Sequence, residues 1–456
     1  MTSSAAAVHE TVSVTITQRA PHGGVLGLLP ELEADALGLF TRLAREYGDL
    51  VRLRLGLTRT VLISHPRLVE EVLVTRNADF RKNIGARRLG SVLGNGLLLS
   101  EGEFWLRQRR LMQPAFHRLR LAQMGTTMAS IAAGVLDTWR AGETREMQAE
   151  MTEVTLRIAA RTLFGTDVAE DVARIRAASL TMTGHFRSRL FTLLILLPDG
   201  VPTPGNRRYQ RALRDLDALV YRVIGERRHG TDDDQDLLGM LLAARDDDGQ
   251  GMTDRQLRDE VMTLLLAGHD TTALALTWAL VLLAQHPDAA DALGAEVDRV
   301  LAGRLPGSAD IPELHYAGAV ITETLRLYPS AWAIGRETLH DTHIGGQPIS
   351  RGTNVLTSPW VLHRDPRFFD EPDEFRPERW TDGLATRLPR FAYVPFGGGQ
   401  RVCIGSSFAQ MEAVLVLATI AQRFCWALAQ PERPVIPLPV VTLRPREPVP
   451  MKLSAR

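Results

Sequence analysis

The decapeptide FGGGQRVCIG, Phe396 to Gly405, sets a cysteine two residues after an arginine and just ahead of an apolar helical stretch. Three consecutive glycines first suggest a phosphate loop, because glycine lets backbone amides close around an anion. No Walker lysine follows, and Val402 stands where the third glycine of a dinucleotide fingerprint belongs, so both phosphate readings fail on spacing. What remains is a backbone freed by Gly397, Gly398, Gly399 and Gly405, with Cys403 at a helix mouth and Arg401 beside it. A helix N-terminus and nearby amide N–H groups favour thiolate over thiol, which predicts an anionic Cys403. The bland alternative is a buried free cysteine in an ordinary turn.

Around that loop the composition narrows the possibilities. The 456 residues are 45% hydrophobic and 23% charged, enough for a large core, and the length allows two or three domains or one large one. Fifty-three basic and fifty-three acidic side chains cancel, leaving no global positive field to hold a nucleic-acid backbone. Only Lys82 and Lys452 among the basic residues are lysines. Cys403 and Cys425 are too few for a disulfide scaffold or a four-thiolate metal site. Cys425, in RFCWAL, reads as core filler. The first two dozen residues are too polar for a signal peptide, and no apolar run approaches the ~20 residues that span a bilayer, so a soluble, cytoplasmic protein is expected.

Residues 1–25 read as a flexible arm, and no repeat or linker separates domains within 26–456, which the resemblance given below implies is a single domain. Glu31 to Tyr47 has helical spacing, residues 50–56 and 57–64 alternate as a hairpin, and helical patterns dominate to about residue 328. The longest begins at Thr253, which can cap with Gln256, and ends at Pro287. At 1.5 Å per residue it would cross roughly 50 Å, and its nearly all-round apolar content makes it central. Short strands and turns follow Ser330, then a last helix over about 405–423 and a strand-rich tail. The acidic tracts 230–236 and 245–251 read as solvated loops; the second imitates a calcium loop through Asp246, Asp248 and Gly251, but Leu257 stands where the bidentate glutamate belongs.

The pattern F-x-x-G-x-R-x-C-x-G, complete over Phe396–Gly405, resembles the haem loop of the cytochrome P-450 superfamily, the soluble bacterial haem-thiolate monooxygenases. Further motifs occur in the expected order: Trp105 and Arg109 in EFWLRQRR, AGHDTT over 267–272, Glu323 and Arg326 in ITETLRLYP, Arg336 in AWAIGRET, His363 in HRDP and Arg379 in FRPERW. The resemblance implies a mainly α, triangular fold with a small β region. Haem b would lie between the long helix and the cysteine-loop helix, with Cys403 as the axial thiolate. It further implies haem contacts from Arg401, Arg336, Arg109, Trp105, Phe396, Gly397, Gly405, Ala267 and Gly268, and a structural network of Glu323, Arg326 and Arg379. Asp270 and Thr271 become the proton-handling pair of O2 activation, in a turn loosened by glycine and threonine. His363 reads as structural.

By the same resemblance the substrate pocket draws on residues 82–98, 180–196, the long helix and the stretch after Pro329. Leu93, Leu97, Phe186, Leu264, Ala267, Trp332, Ala333 and Ile334 suit a small lipophilic ligand, a terpenoid, fatty-acid-like, polyketide or indole compound. Arg87 and Arg88 could meet a carboxylate or face water. The chain ends soon after the last expected strands, which implies NAD(P)H electrons delivered by a separate ferredoxin or flavodoxin. Arg107, Arg109, Arg110, Arg118 and Arg120, against Glu103 alone, form either its docking patch or an ordinary solvated face. The expected reaction is O2-dependent hydroxylation or epoxidation in bacterial secondary metabolism by a monomer; desaturation, C–C or C–N coupling, and a non-catalytic haem sensor are the alternatives.

Overall fold

In the computed structural model, which describes residues 14–15, 24, 26–190, 200–229, 236–245 and 249–456, the long helix runs Asp254–Gln285. The Gln256 amide donates to Thr253 Oγ1 while the Thr253 amide donates to Gln256 Oε1, the reciprocal cap that the sequence predicts. Pro287 stands in the first turn of the next helix, Pro287–Leu301, where its missing N–H is not needed. The long helix passes against Met147–Phe164, His315–Leu327 and Ser406–Arg423. Trp278 is wholly buried and stacks on Tyr328 with ring centroids 4.0 Å apart. By length and composition this helix could cross a membrane, which corrects the expectation that no apolar run approaches a span. Its most apolar window is, however, 72% buried inside the protein, as befits the core helix of a packed domain.

The predicted hairpin forms as β1 (Leu50–Leu55) and β2 (Thr58–Ile63), antiparallel from Leu50↔Ile63 to Leu55↔Thr58. Three short strands, β3 (Phe80–Lys82), β4 (Ile334–Thr338) and β5 (Asn354–Thr357), extend it into a sheet of order β1-β2-β5-β4-β3. A small hairpin, β6 (Pro437–Pro439) and β7 (Leu443–Pro445), returns towards the long helix, and the C-terminal strand Pro450–Ala455 pairs with Phe424–Leu428. Strand alternation in Phe424–Leu428 turns Phe424 inward and Cys425 outward opposite Ser454, so Cys425 is exposed and not core filler. The result is the mainly α fold with small sheets that the sequence predicts.

Most of the 1–25 arm, residues 191–196 of the expected pocket stretch, residues 230–235 of the first acidic tract, and Asp246 and Asp248 lie outside the described residues.

Candidate active site

A cavity of about 520 Å³ separates the long helix from the cysteine loop. The loop forms its floor with Phe396, Gly397, Gly398, Arg401, Val402, Cys403 and Ile404; Leu264, Ala267, Asp270, Thr271 and Thr272 form its roof. Gly397 and Gly399 both take positive φ, and a Cβ on Gly399 would lie 2.0 Å from the Leu73 carbonyl oxygen, so side chains are excluded there. This path lets the Cys403 amide donate to Phe396 O at 3.0 Å. Cys403 is exposed and lines the cavity. Burial raises the thiol above its ordinary pKa, and the Gly405 amide and Arg109 only partly oppose it. The predicted anion therefore does not follow from the helix mouth alone, because loss of solvent outweighs the local dipoles; deprotonation awaits a stronger positive charge in the cavity.

Cations line one side of the same space. Arg401 donates to Ser100 O at 2.9 Å, pairs with Glu101 and lies 4.4 Å over the Trp105 ring. Arg109 donates to Val402 O at 2.9 Å. In the β3–β4 pairing Lys82 stands directly opposite Arg336, a like-charge juxtaposition that costs stability. Burial, then Arg336 and Arg401, push the Lys82 ammonium down to about 7, with Glu101 opposing; burial and Arg401 push Arg336 down to about 10. Such a rim calls for anions. Haem b, which the resemblance implies, carries two carboxylates on a flat apolar ring, and both the excess of cations and the side-chain-free glycine floor fit it. Lys82 was expected only as the start of the 82–98 pocket stretch and not as a cation of this rim; the available signal was its being one of only two lysines.

On the roof, Asp270 accepts from Thr442 Oγ1 at 3.0 Å and from Arg444 Nη2 at 2.9 and 3.1 Å. The two donors come from the β6–β7 hairpin, whose residue Val441 also lines the cavity. Thr271 Oγ1 donates to Ala267 O at 2.8 Å and Thr272 Oγ1 to Gly268 O at 3.2 Å. The AGHDTT turn is thus back-bonded within a continuous helix and is not opened as the sequence suggested, because each hydroxyl has a carbonyl four residues earlier to satisfy. Arg444 and Thr442 could not be found from motifs, since only the hairpin's return brings them here.

Beneath the floor, Glu323 and Arg326 are fully buried and doubly hydrogen-bonded at 2.8 Å. Glu323 also accepts from Arg379 Nε at 3.0 Å, Trp380 Nε1 at 2.7 Å and the Arg376 amide at 3.0 Å. Arg326 donates onward to the carbonyls of His363 and Glu374 at 2.8 and 2.9 Å. His363 Nε2 accepts from the Val394 amide at 2.8 Å, so its proton sits on Nδ1, which faces Arg326 O at 3.2 Å. Burial, helped by Arg326, holds His363 down to about 3, keeping it neutral for this relay. The chain of bonds ends two residues before Phe396 and ties the cysteine loop to the core.

Leu93, Leu97, Phe186, Leu264, Ala267, Ala333 and Ile334 line the cavity, joined by Leu89, Val92, Met182, Thr183 and Ala331 from the same expected stretches. The Asn95 and Leu97 amides donate to Asp259 and Glu260 of the long helix, both at 2.9 Å, which seats the Leu93–Leu97 wall. Trp332 is not on the wall: it is buried against Phe40, with Nε1 donating to Val440 O at 3.0 Å. Gly268 and Gly405 also stay off the wall. Gly268 faces Leu163 across the helix pair, and Gly405 only begins the helix Ser406–Arg423 near Phe116. Arg87 pairs with Glu337 at 2.8 Å and Arg88 stays off the wall.

The family profile described as Cytochrome P450 matches residues 20–452. Among curated proteins, cyclooctatin synthase of Streptomyces melanosporofaciens is 42% identical over 88% of this chain and 86% of its own length. Cyclooctat-9-en-7-ol 5-monooxygenase of the same organism is 40% identical over 83% and 82%. Pentalenene oxygenase of Streptomyces avermitilis is 35% identical over 90% and 91%.

Proposed function

This chain belongs to the cytochrome P450 family and is a haem-thiolate monooxygenase, and from that premise we propose that it hydroxylates or epoxidises a polycyclic terpenoid hydrocarbon or alcohol in bacterial secondary metabolism. The observation that carries the substrate class is the upper wall. Leu89, Val92, Leu93, Met182, Phe186 and Leu264 give a continuous apolar surface, while Ala267, Ala331 and Ala333 leave width for fused rings. Relatives named for an -ene and an -en-ol support the same class.

The haem, bound through Cys403, supplies reductive activation of O2 and transfer of one oxygen atom to substrate, the other leaving as water. Cys403 gives the thiolate. Arg109, Arg336, Arg401 and Lys82 would hold the haem carboxylates, Trp105 keeps the Arg401 guanidinium in place, and Phe396, Gly397 and Ala267 would lie against the ring. Gly268 and Gly405 act through the backbone alone. Asp270, held by Thr442 and Arg444, relays protons at the cavity edge, and the Thr271 hydroxyl turns from Ala267 O towards the cavity to pass them on. Electrons reach the floor from a separate ferredoxin or flavodoxin that docks on exposed Arg110 and Arg118, with half-buried Arg107 and Arg120 behind them. The single domain over 26–456 works as a cytoplasmic monomer.

The test supplies ferredoxin, its reductase and NADPH to the haem-loaded enzyme with pentalenene and cyclooctat-9-en-7-ol. A product heavier by one oxygen is expected. A product lighter by two hydrogens supports desaturation instead, and turnover of a fatty acid or indole with neither terpene touched would sink the substrate class. The cation rim makes a second prediction: Arg336→Met and Lys82→Met each fold normally, since each relieves repulsion, yet bind haem at least tenfold more weakly, a loss of about 1.4 kcal/mol, measured by transfer to apomyoglobin. Haem retention equal to wild type in both would remove these residues from the site.

A further inference from the structure

The residues that line the cavity carry hydroxyls of two kinds. Some are satisfied within the protein: Thr271 Oγ1 donates to Ala267 O at 2.8 Å, Thr272 Oγ1 to Gly268 O at 3.2 Å, Ser330 Oγ to Thr271 O at 2.9 Å and Thr442 Oγ1 to Asp270 at 3.0 Å. Others are not. Thr263 Oγ1 and Ser179 Oγ are buried and have no hydrogen-bond partner, although both residues line the same cavity. A helical hydroxyl ordinarily bonds the carbonyl four residues earlier. Thr277 of the long helix does so to Ala273 O at 2.7 Å, and Thr181 of the helix Val172–Leu190 to Ala177 O at 2.9 Å. Thr263 and Ser179 do not. The Asn95 and Leu97 amides, held by Asp259 and Glu260, seat Gly96 against Thr263, where a Cβ would fall 2.2 Å from Oγ1. Ser179 shares one face of its helix with Met182, Thr183 and Phe186, all on the cavity wall. An unpaired hydroxyl in this otherwise apolar wall is unfavourable until something entering the cavity bonds to it.

We propose that Thr263 and Ser179 recognise a hydroxyl group already present on the substrate, so that the enzyme acts on a terpenoid alcohol in preference to the parent hydrocarbon. An alcohol oxygen both accepts and donates, which suits side chains that can each do either. A hydrocarbon would leave both hydroxyls unpaired, and a site with a polar group to satisfy discriminates against the analogue that lacks the matching group. Thr263 precedes Thr271 by eight residues, about 12 Å along the long helix. A substrate hydroxyl held at Thr263 therefore leaves the far end of a fused-ring skeleton to meet the turn at Thr271. The step that supplies this substrate must itself install an oxygen, as a cyclisation ended by water or an earlier hydroxylation does. The inference rests on the terpenoid reading above and narrows it from hydrocarbon or alcohol to alcohol.

The test titrates the haem-loaded enzyme with cyclooctat-9-en-7-ol and with the same skeleton reduced at C7, reading Kd from the Soret perturbation and from equilibrium dialysis. Wild type should bind the alcohol at least about tenfold more tightly than the hydrocarbon. Thr263→Val and Ser179→Ala should each lower that ratio, and the double variant should bring the two affinities within about twofold of each other. Thr263→Ser, which keeps the hydroxyl, should retain the preference. Thr263→Val keeps the volume and removes a buried unpaired donor, so without ligand it should melt no lower than wild type, which separates recognition from folding. Equal affinity of wild type for the two compounds, or a double variant that keeps the preference, overturns the inference and leaves the terpenoid reading standing. If neither compound binds, the terpenoid reading falls and this inference falls with it.

Discussion

Replacing Cys403 with serine removes the thiolate-type Soret shift of the ferrous–CO complex and lowers product formation to background. The fold survives, because the loop is held by backbone: the residue-403 amide still reaches Phe396 O, and Gly397 and Gly399 still take their positive φ. The chemistry does not survive. A serine hydroxyl is a far weaker acid than a thiol and stays protonated in a site where burial already raises the thiol pKa. Serine would not supply a bound haem with the soft, charged sulfur ligand that Cys403 would give it and that O2 activation would draw on. The check is one spectrum and one product assay on material whose melting temperature matches wild type. A retained thiolate-type spectrum would be incompatible with Cys403 as the ligand.

Arg326→Leu is the second large effect, and it acts on stability and haem content together. The substitution strips two hydrogen bonds from the buried Glu323 carboxylate and leaves the His363 and Pro372 carbonyls without their donor. Removing one partner of a buried ion pair costs about 3–5 kcal/mol, against a total stability of only about 5–15 kcal/mol for a typical protein. The expected outcome is a clear fall in the urea midpoint with an unchanged slope. Haem is lost at denaturant concentrations where the helices persist, because His363 no longer anchors Val394 ahead of the cysteine loop. Arg326→Lys should recover little, since one ammonium cannot form the same fork. A midpoint within about 1 kcal/mol of wild type would mean that the network is not what holds the loop.

Much of this was readable before any coordinates. The cap at Thr253, the break at Pro287 and the 50–64 hairpin follow from local rules and form as predicted. The cysteine loop, the W-x-x-x-R pair and the E-x-x-R pair are motifs whose residue types and spacing carry their chemistry, and their members converge on one cavity and its support. The misses share a different cause. Cys425 follows a strand alternation whose inward face no local pattern reveals, and Trp332 turns towards Phe40 and Val440, partners far away in the sequence. Lys82 acquires its meaning only opposite Arg336, which is 254 residues away in sequence. Arg444 and Thr442 meet Asp270 because a C-terminal hairpin folds back over the long helix.

By itself, the sequence determined the helix that crosses the core, the loop that presents Cys403 and the haem-thiolate class of reaction, because capping, glycine freedom and motif spacing act over a few residues. Only the tertiary structure decided the charge states. Burial raises Cys403 and lowers Lys82, and each shift depends on solvent exclusion and on charges contributed by distant segments, quantities that exist only once the chain has packed.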